Sequence, residues 1–272
     1  MSSLSLVYGA LVGLSLGLTG GGGAIFAIPL LVYGLRFPPQ EAVTVSLAAV
    51  GTTALAGFVR AWWQKNTEVR TGLLFAVAGA VGTPLGAWLS ARLPDALLLT
   101  LFAGLMLIVA ARLWHQSRQP VRNPELCPLP DTADGPTCRR DAAGQLLLTS
   151  RCGTLLFAVG TLTGVLSGLF GVGGGFVIVP ALVLFSGMSI HRAVGTSLMV
   201  IALVSLAGIA ARLFAGQPLP LGIVFPFVVG GLVGMFAGQS LGKRLPAPLL
   251  QRVFATAMLG TAAFIIIRNF SD

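Results

Sequence analysis

Two glycine clusters, Gly20-Gly21-Gly22-Gly23 and Gly171-Val172-Gly173-Gly174-Gly175, are the residues whose type and spacing could do chemistry here, and that chemistry is anion binding by backbone amides. Glycine lacks a Cβ and reaches positive φ freely, so three or four close together interrupt a helix. Amides beyond an interruption have no intrahelical partner, and the partial positive charge at a helix N-terminus suits an oxyanion. Each cluster interrupts a long apolar segment. Inside lipid, unpaired backbone survives only where protein covers it or water or a ligand fills a cavity. Hydroxyls accompany both clusters: Ser15, Thr19, Thr44, Ser46, Thr52 and Thr53 in the first half, and Thr163, Ser167, Thr196, Ser197 and Ser205 in the second. For most of them, bonding to the preceding turn's carbonyl or gluing helices together is sufficient explanation. Ser46 and Ser197 occupy equivalent positions in the two halves, and with Thr196 they are the expected side-chain donors to the anion.

Other chemistries find little support. The 8 acidic residues fall in loops or at span ends, which leaves no carboxylate at depth for a proton relay or an acid/base pair. His115 and His191 have no acidic residue placed to orient them toward a nucleophile, so an enzyme is not expected. Cys127 and Cys138 are spaced too widely for a zinc knuckle, and Cys152 makes an odd total of 3 cysteines; no metal and no cofactor are expected.

The elements that must hold the glycines are membrane helices. With 55% hydrophobic residues, 9% charged and a mean hydropathy of +0.90, the chain lies far outside the soluble average of about 25% charged. The net charge of +9 is scattered between apolar runs and forms no basic stripe, which argues against nucleic acid as a partner. The start has no basic residue ahead of its apolar run, so a cleaved signal peptide is not expected.

The chain also repeats itself. Gly9, Gly13 and Gly17 align with Gly160, Gly164 and Gly168, and Pro29 aligns with Pro180. Ala42-Val43 and Ser46-Leu47 fall on Ala193-Val194 and Ser197-Leu198, and Leu55-Ala56-Gly57 falls on Leu206-Ala207-Gly208. At roughly 20 apolar residues per crossing, each half yields four segments. The expected fold is an all-α integral membrane protein of about eight transmembrane helices. It is organised as a first repeat over 1–115, a polar extramembrane linker over 116–150 and a second repeat over 151–272. The first helix of each repeat breaks at its glycine cluster, and Pro29 and Pro180 kink the half-helix beyond the break. Glycines at four-residue spacing are expected to form packing faces. Leu4 to Leu18 gives only about 22 Å of helix, so the first break lies at depth. Hydropathy leaves two courses open beyond it. Continuation across the membrane gives eight crossings and parallel halves, and is the preferred reading; a re-entrant leg gives three crossings per half and inverted halves. Under continuation, arginine placement puts the termini and the linker together on the cytoplasmic side of the cell membrane.

With these residues in view, the chain resembles the sulfite exporter TauE/SafE family. Gly168-Leu-Phe-Gly-Val-Gly-Gly-Gly-Phe-Val-Ile-Val-Pro180 is the closer match to the family's glycine motif, and the first copy carries Thr19 followed by four glycines. The resemblance covers nearly the whole chain apart from the linker. It implies a membrane transporter that exports sulfite or organosulfonates. Its partners are then a small anionic substrate and the lipid bilayer, with a second copy of the chain as a further candidate. A carrier for another small organic anion and a non-transporting membrane scaffold are the alternatives.

Overall fold

The computed structural model describes residues 2–117, 150–175, 178–179, 182, 188, 190–216, 220–242 and 247–271. Among these are eight long α-helices and no strand: α1 (Ser2–Thr19), α2 (Pro39–Trp63), α3 (Val69–Arg92), α4 (Asp95–Ser117), α5 (Ser150–Phe170), α6 (Ile190–Phe214), α7 (Leu221–Gly242) and α8 (Ala247–Ser271). Five helical stretches are long and apolar enough to cross a membrane by length and composition, and Ser3–Thr19, Gly23–Gly34 and Asp95–Ala111 form shorter apolar ones. Large apolar side chains such as Leu85, Ile108, Leu162 and Phe225 point outward, whereas glycines line the helix contacts. That inversion of the soluble pattern fits lipid, where no hydrophobic drive joins helices and close backbone packing replaces it.

Those glycine contacts fix the direction of each helix. Gly9, Gly13 and Gly17 of α1 lie against Phe227, Gly231 and Met235 of α7, so the two helices run parallel. Gly160, Gly164 and Gly168 of α5 lie against Phe75, Gly79 and Thr83 of α3, again in parallel. Within the centre, Gly51 of α2 meets Ser205 of α6 while Leu47 meets Gly208 and Gly57 meets Leu198, an antiparallel crossing. Thr53 beside Gly231 and Met235 beside Gly57 set α7 parallel to α2, and Val204 beside Gly79 with Thr83 beside Gly208 sets α3 parallel to α6. It follows that α1, α2 and α7 point one way and α3, α5 and α6 the other.

Because α1 and α2 point the same way, the segment between them must return. Gly23 packs on Ser15 and Gly34 on the Tyr8 ring, so the segment 22–34 folds back along α1 as a re-entrant leg. The leg is irregular: a 3-10 turn over Gly22–Phe26, one α-helical step over Ala27–Pro29 and a π turn over Leu30–Gly34. Pro29 cannot donate a backbone hydrogen bond and its ring crowds the carbonyl four residues back, which accounts for the change of winding at that point. Arg36, at φ 59°, then turns the chain toward α2, which begins at Pro39, a residue suited to a first helical turn.

The halves are therefore inverted, with α1, α2, α3 and α4 matching α5, α6, α7 and α8. Continuation of the broken helix across the membrane, the preferred course from hydropathy, is not what the chain does. The first helix of each half packs on the third helix of the other, so the halves interlock. Both ends of the linker, Ser117 and Ser150, lie on one face, and Ser2 and Ser271 lie on the opposite face. The linker itself, with Cys127 and Cys138, and Pro180 of the second leg lie outside the described residues. A topology reporter inserted at Asp131 and one fused after Asp272 should therefore read opposite sides of the membrane. Equal readings from both would restore the parallel arrangement.

Candidate functional site

The two glycine clusters come together. Gly21 lies directly on Gly175, with an ideal Cβ at Gly21 falling 2.8 Å from Gly175 Cα. Gly20 (φ 71°) stands against Val194 near the start of α6, and Gly171 (φ 66°) against Val43 near the start of α2. Those are matching places in the two halves, so the breaks straddle the Gly51–Ser205 crossing from opposite sides. Gly20, Gly21, Gly23, Gly171, Gly173, Gly174 and Gly175 are all buried. Positive φ at Gly171, Gly173 (69°) and Gly174 (67°) explains why this stretch is so rich in glycine.

The backbone accounting shows what the breaks leave open. The Gly20 amide still donates to Leu16 O at 2.8 Å, and the Gly171 amide to Ser167 O at 2.7 Å, closing α1 and α5. The Gly23 amide donates to Thr19 Oγ1 at 3.1 Å, and Ser15 Oγ lies 3.2 Å from Gly23 O, so the leg begun at Gly22 is pinned to α1. No hydrogen-bond partner among the described residues meets the amides of Gly21, Val172, Gly173 and Gly174. The buried hydroxyl of Ser205 is likewise unpartnered and sits 3.4 Å from where a Cβ on Gly173 would be. A cluster of donors lacking acceptors, out of contact with water, is costly unless something supplies the acceptor.

The expected hydroxyl donors have a different task. Ser46 donates to Gly171 O at 2.7 Å and Ser197 to Gly20 O at 2.6 Å. Each serine thus holds the break of the other half, a crossed clamp that fixes both turns against the α2–α6 pair. Thr196 is buried but turned away: its Oγ1 accepts the Glu68 amide at 3.0 Å and anchors the entrance to α3. Ser46 and Ser197 therefore lie at the breaks, donating to backbone carbonyls there, and Thr196 lies at the entrance to α3.

Two residues outside the expected set belong to this region. One is Ser205, read from the sequence as an ordinary helix hydroxyl. The other is Arg212, which is 1% exposed and lies in the last turns of α6. Its Nη2 donates to Gly168 O at 3.1 Å, three residues before the second break, and to Ser90 Oγ at 3.2 Å. Position near a span end disguises it, since arginines there commonly reach back to the membrane surface. The signal that could have found it is the broken symmetry: the aligned position in the first half is Ala61.

The profile of the family described as "Sulfite exporter TauE/SafE" matches residues 5–265. A "Probable membrane transporter protein" of Xylella fastidiosa (strain Temecula1 / ATCC 700964) is 34% identical over 268 residues, covering 97% of this chain and 94% of that protein. The "Probable membrane transporter protein YdhB" of Bacillus subtilis (strain 168) is 28% identical over 253 residues, covering 93% and 94%. The "Probable membrane transporter protein MJ0441" of Methanocaldococcus jannaschii is 25% identical over 281 residues, covering 97% and 94%. No solved structure matches.

Proposed function

The chain belongs to the sulfite exporter TauE/SafE family of membrane transporters, and from that premise we propose that its cargo is a small oxyanion held where the two breaks meet. The observation that carries this reading is the set of unpartnered donors around the two buried breaks: the amides of Gly21, Val172, Gly173 and Gly174 and the hydroxyl of Ser205. An acceptor-only ligand completes them, and a sulfite or sulfonate head presents three oxygens for the purpose. Gly20, Gly22, Gly23, Gly171 and Gly175 shape the turns, and Ser46 and Ser197 hold their carbonyls away from the anion. Inverted halves meeting at the membrane's middle let the site open to either face in turn.

Direction follows from charge. Among the described residues the terminus face holds Arg36, Arg92, Arg212 and Arg268, while Arg60, Lys65, Arg70, Arg112, Arg151, Arg192 and Arg252 belong to helix ends or connections on the linker face. The positive-inside rule then makes the linker face cytoplasmic. On this reading the linker is cytoplasmic and the termini lie outside, because the first segment returns instead of crossing. Export would carry the anion from the linker face to the terminus face. With the interior negative, one negative charge moving outward gains about 2.3 kcal/mol per 100 mV, so no proton relay is required.

Flux into or out of proteoliposomes, compared for sulfite, sulfate, thiosulfate, taurine and acetate, tests the proposal. Saturable movement of a sulfur oxyanion is expected. Preference for acetate would make the protein a carrier of another class of organic anion, and no saturable flux for any of them would leave a scaffold. Ser46→Ala and Ser197→Ala each remove one clamp hydrogen bond, worth about 1 kcal/mol, and should lower both thermal stability and flux a few-fold, by similar amounts for the two variants. Flux unchanged in both would mean that the crossed clamp does not shape the site.

A further inference from the structure

Arg212 has no counterpart in the other half, where the aligned position is Ala61. It sits seven residues along α6 from Ser205, about 10 Å by helix rise, and so inside the roughly 15 Å half-thickness of the hydrocarbon when the α2–α6 crossing marks the middle. An ionisable side chain at that depth is a functional candidate by default. Its guanidinium joins four elements. Nη1 lies 3.3 Å from Gln40 O and 3.4 Å from Thr44 Oγ1 on α2, and Nη2 lies 3.2 Å from Ser90 Oγ on α3 and 3.1 Å from Gly168 O on α5. These four acceptors are neutral, and their distances exceed the roughly 2.7–2.9 Å of charge-assisted hydrogen bonds. An oxyanion offers the same guanidinium shorter, charged and bidentate contacts.

Resting on the anion-carrier reading above, we infer that Arg212 is a latch on the terminus side of the second break, opened by competition from the cargo. With no anion beside it, the guanidinium ties α6 to α2, α3 and α5 and closes that end. An oxyanion leaving the break takes the guanidinium from Gly168 O, Ser90, Thr44 and Gln40 O, and the same event that passes the anion outward releases the four elements from one another. At the other end Ala61 stands at the matching position, so the latch acts on one side only. The inference also defines the substrate class: a group with at least two acceptor oxygens and a net negative charge.

The test compares Arg212→Gln, Arg212→Lys and Ser90→Ala in the purified full-length protein, reading thermal stabilisation by sodium sulfite against sodium chloride at equal ionic strength, together with sulfite flux. Arg212→Gln should raise the half-saturating sulfite concentration by about tenfold or more, the worth of a charged hydrogen bond, and Arg212→Lys should recover part of it. Ser90→Ala cuts a hydrogen bond to the same guanidinium yet should act in the opposite direction, lowering the half-saturating concentration by about threefold, because the anion loses a competitor. A merely structural arginine predicts the same sign for Arg212→Gln and Ser90→Ala, and that result would overturn the latch. So would a parental sulfite response in Arg212→Gln. Should Arg212→Gln fail to accumulate, Ser90→Ala decides alone, and an unchanged or weaker response there overturns the inference. Absence of any sulfite response in the parent protein would remove the anion-carrier reading itself, an outcome distinct from failure of the latch.

Discussion

Alanine at Gly173 is expected to stop transport while the protein still folds and inserts. Gly173 has φ 69°, where an L-residue is disfavoured by roughly 1–2 kcal/mol. That alone is small beside the packing of eight helices. What matters is where the methyl goes: 2.8 Å from Ile201 Cγ2, 3.3 Å from Val50 Cγ1 and 3.4 Å from the unpartnered Ser205 Oγ. A fall in sulfite flux of at least tenfold, equivalent to about 1.4 kcal/mol of lost transition-state stabilisation, is expected. Gly216 provides the control, since it too has positive φ (75°) but open space around its Cβ position. Gly216→Ala carries the same backbone penalty and should transport as the parent does. Parental flux in Gly173→Ala, measured on protein whose insertion is verified, would move the site away from the second break.

Valine at Gly13 or at Gly164 should abolish accumulation of folded protein. A Cβ at Gly13 runs into the Gly231 carbonyl of α7, and one at Gly164 into the Gly79 carbonyl of α3. Neither obstacle is a flexible side-chain tip; both are helix backbone, so the helices must separate along the whole contact. Overpacking a tight core commonly costs about 1–3 kcal/mol, and here every further glycine along the contact loses its close approach at the same time. Gly104 and Gly260 lie within helices with nothing near their Cβ positions. Alanine there should be neutral or stabilising by up to about 1 kcal/mol from helix propensity. Detergent-solubilised yield and thermal unfolding read both classes. Normal yield from Gly13→Val and Gly164→Val would show that the seams tolerate separation.

Much of this was legible in the sequence, and the residues explain why. Glycine clusters, glycine faces at four-residue spacing and the aligned Ser46 and Ser197 are local patterns, and local patterns determine where helices stop and which faces meet. Direction is not local. Hydropathy is unchanged when a segment is read backwards, so it left both courses open for Ala24 to Gly34, and the contacts of Gly23 with Ser15 and of Gly34 with Tyr8 separate the two. Hydroxyl roles were half legible: equivalence picked out Ser46 and Ser197, but whether each donates to an anion or to Gly171 O and Gly20 O depends on where the opposite half places its carbonyl. Arg212 was hidden by its nearness to a span end. Its burial comes from Thr44, Ser90 and Gly168 on three other helices, which no window around residue 212 contains.

The interlocking of the halves also bears on how the molecule is made. During synthesis α1 enters the membrane long before the helix it packs against exists, because α7 begins at Leu221. At roughly 5–20 residues per second, the glycine face of α1 waits on the order of 10–40 s for α7 to emerge. Meanwhile α3, made early, waits for α5. Neither half can close its own seams, so neither is an independent folding unit. The nascent chain must hold partly assembled helices in lipid until the last third of the protein has left the ribosome. The order of synthesis thus leaves α1, which carries the first break at its end, among the earliest helices inserted and among the last to be locked in place.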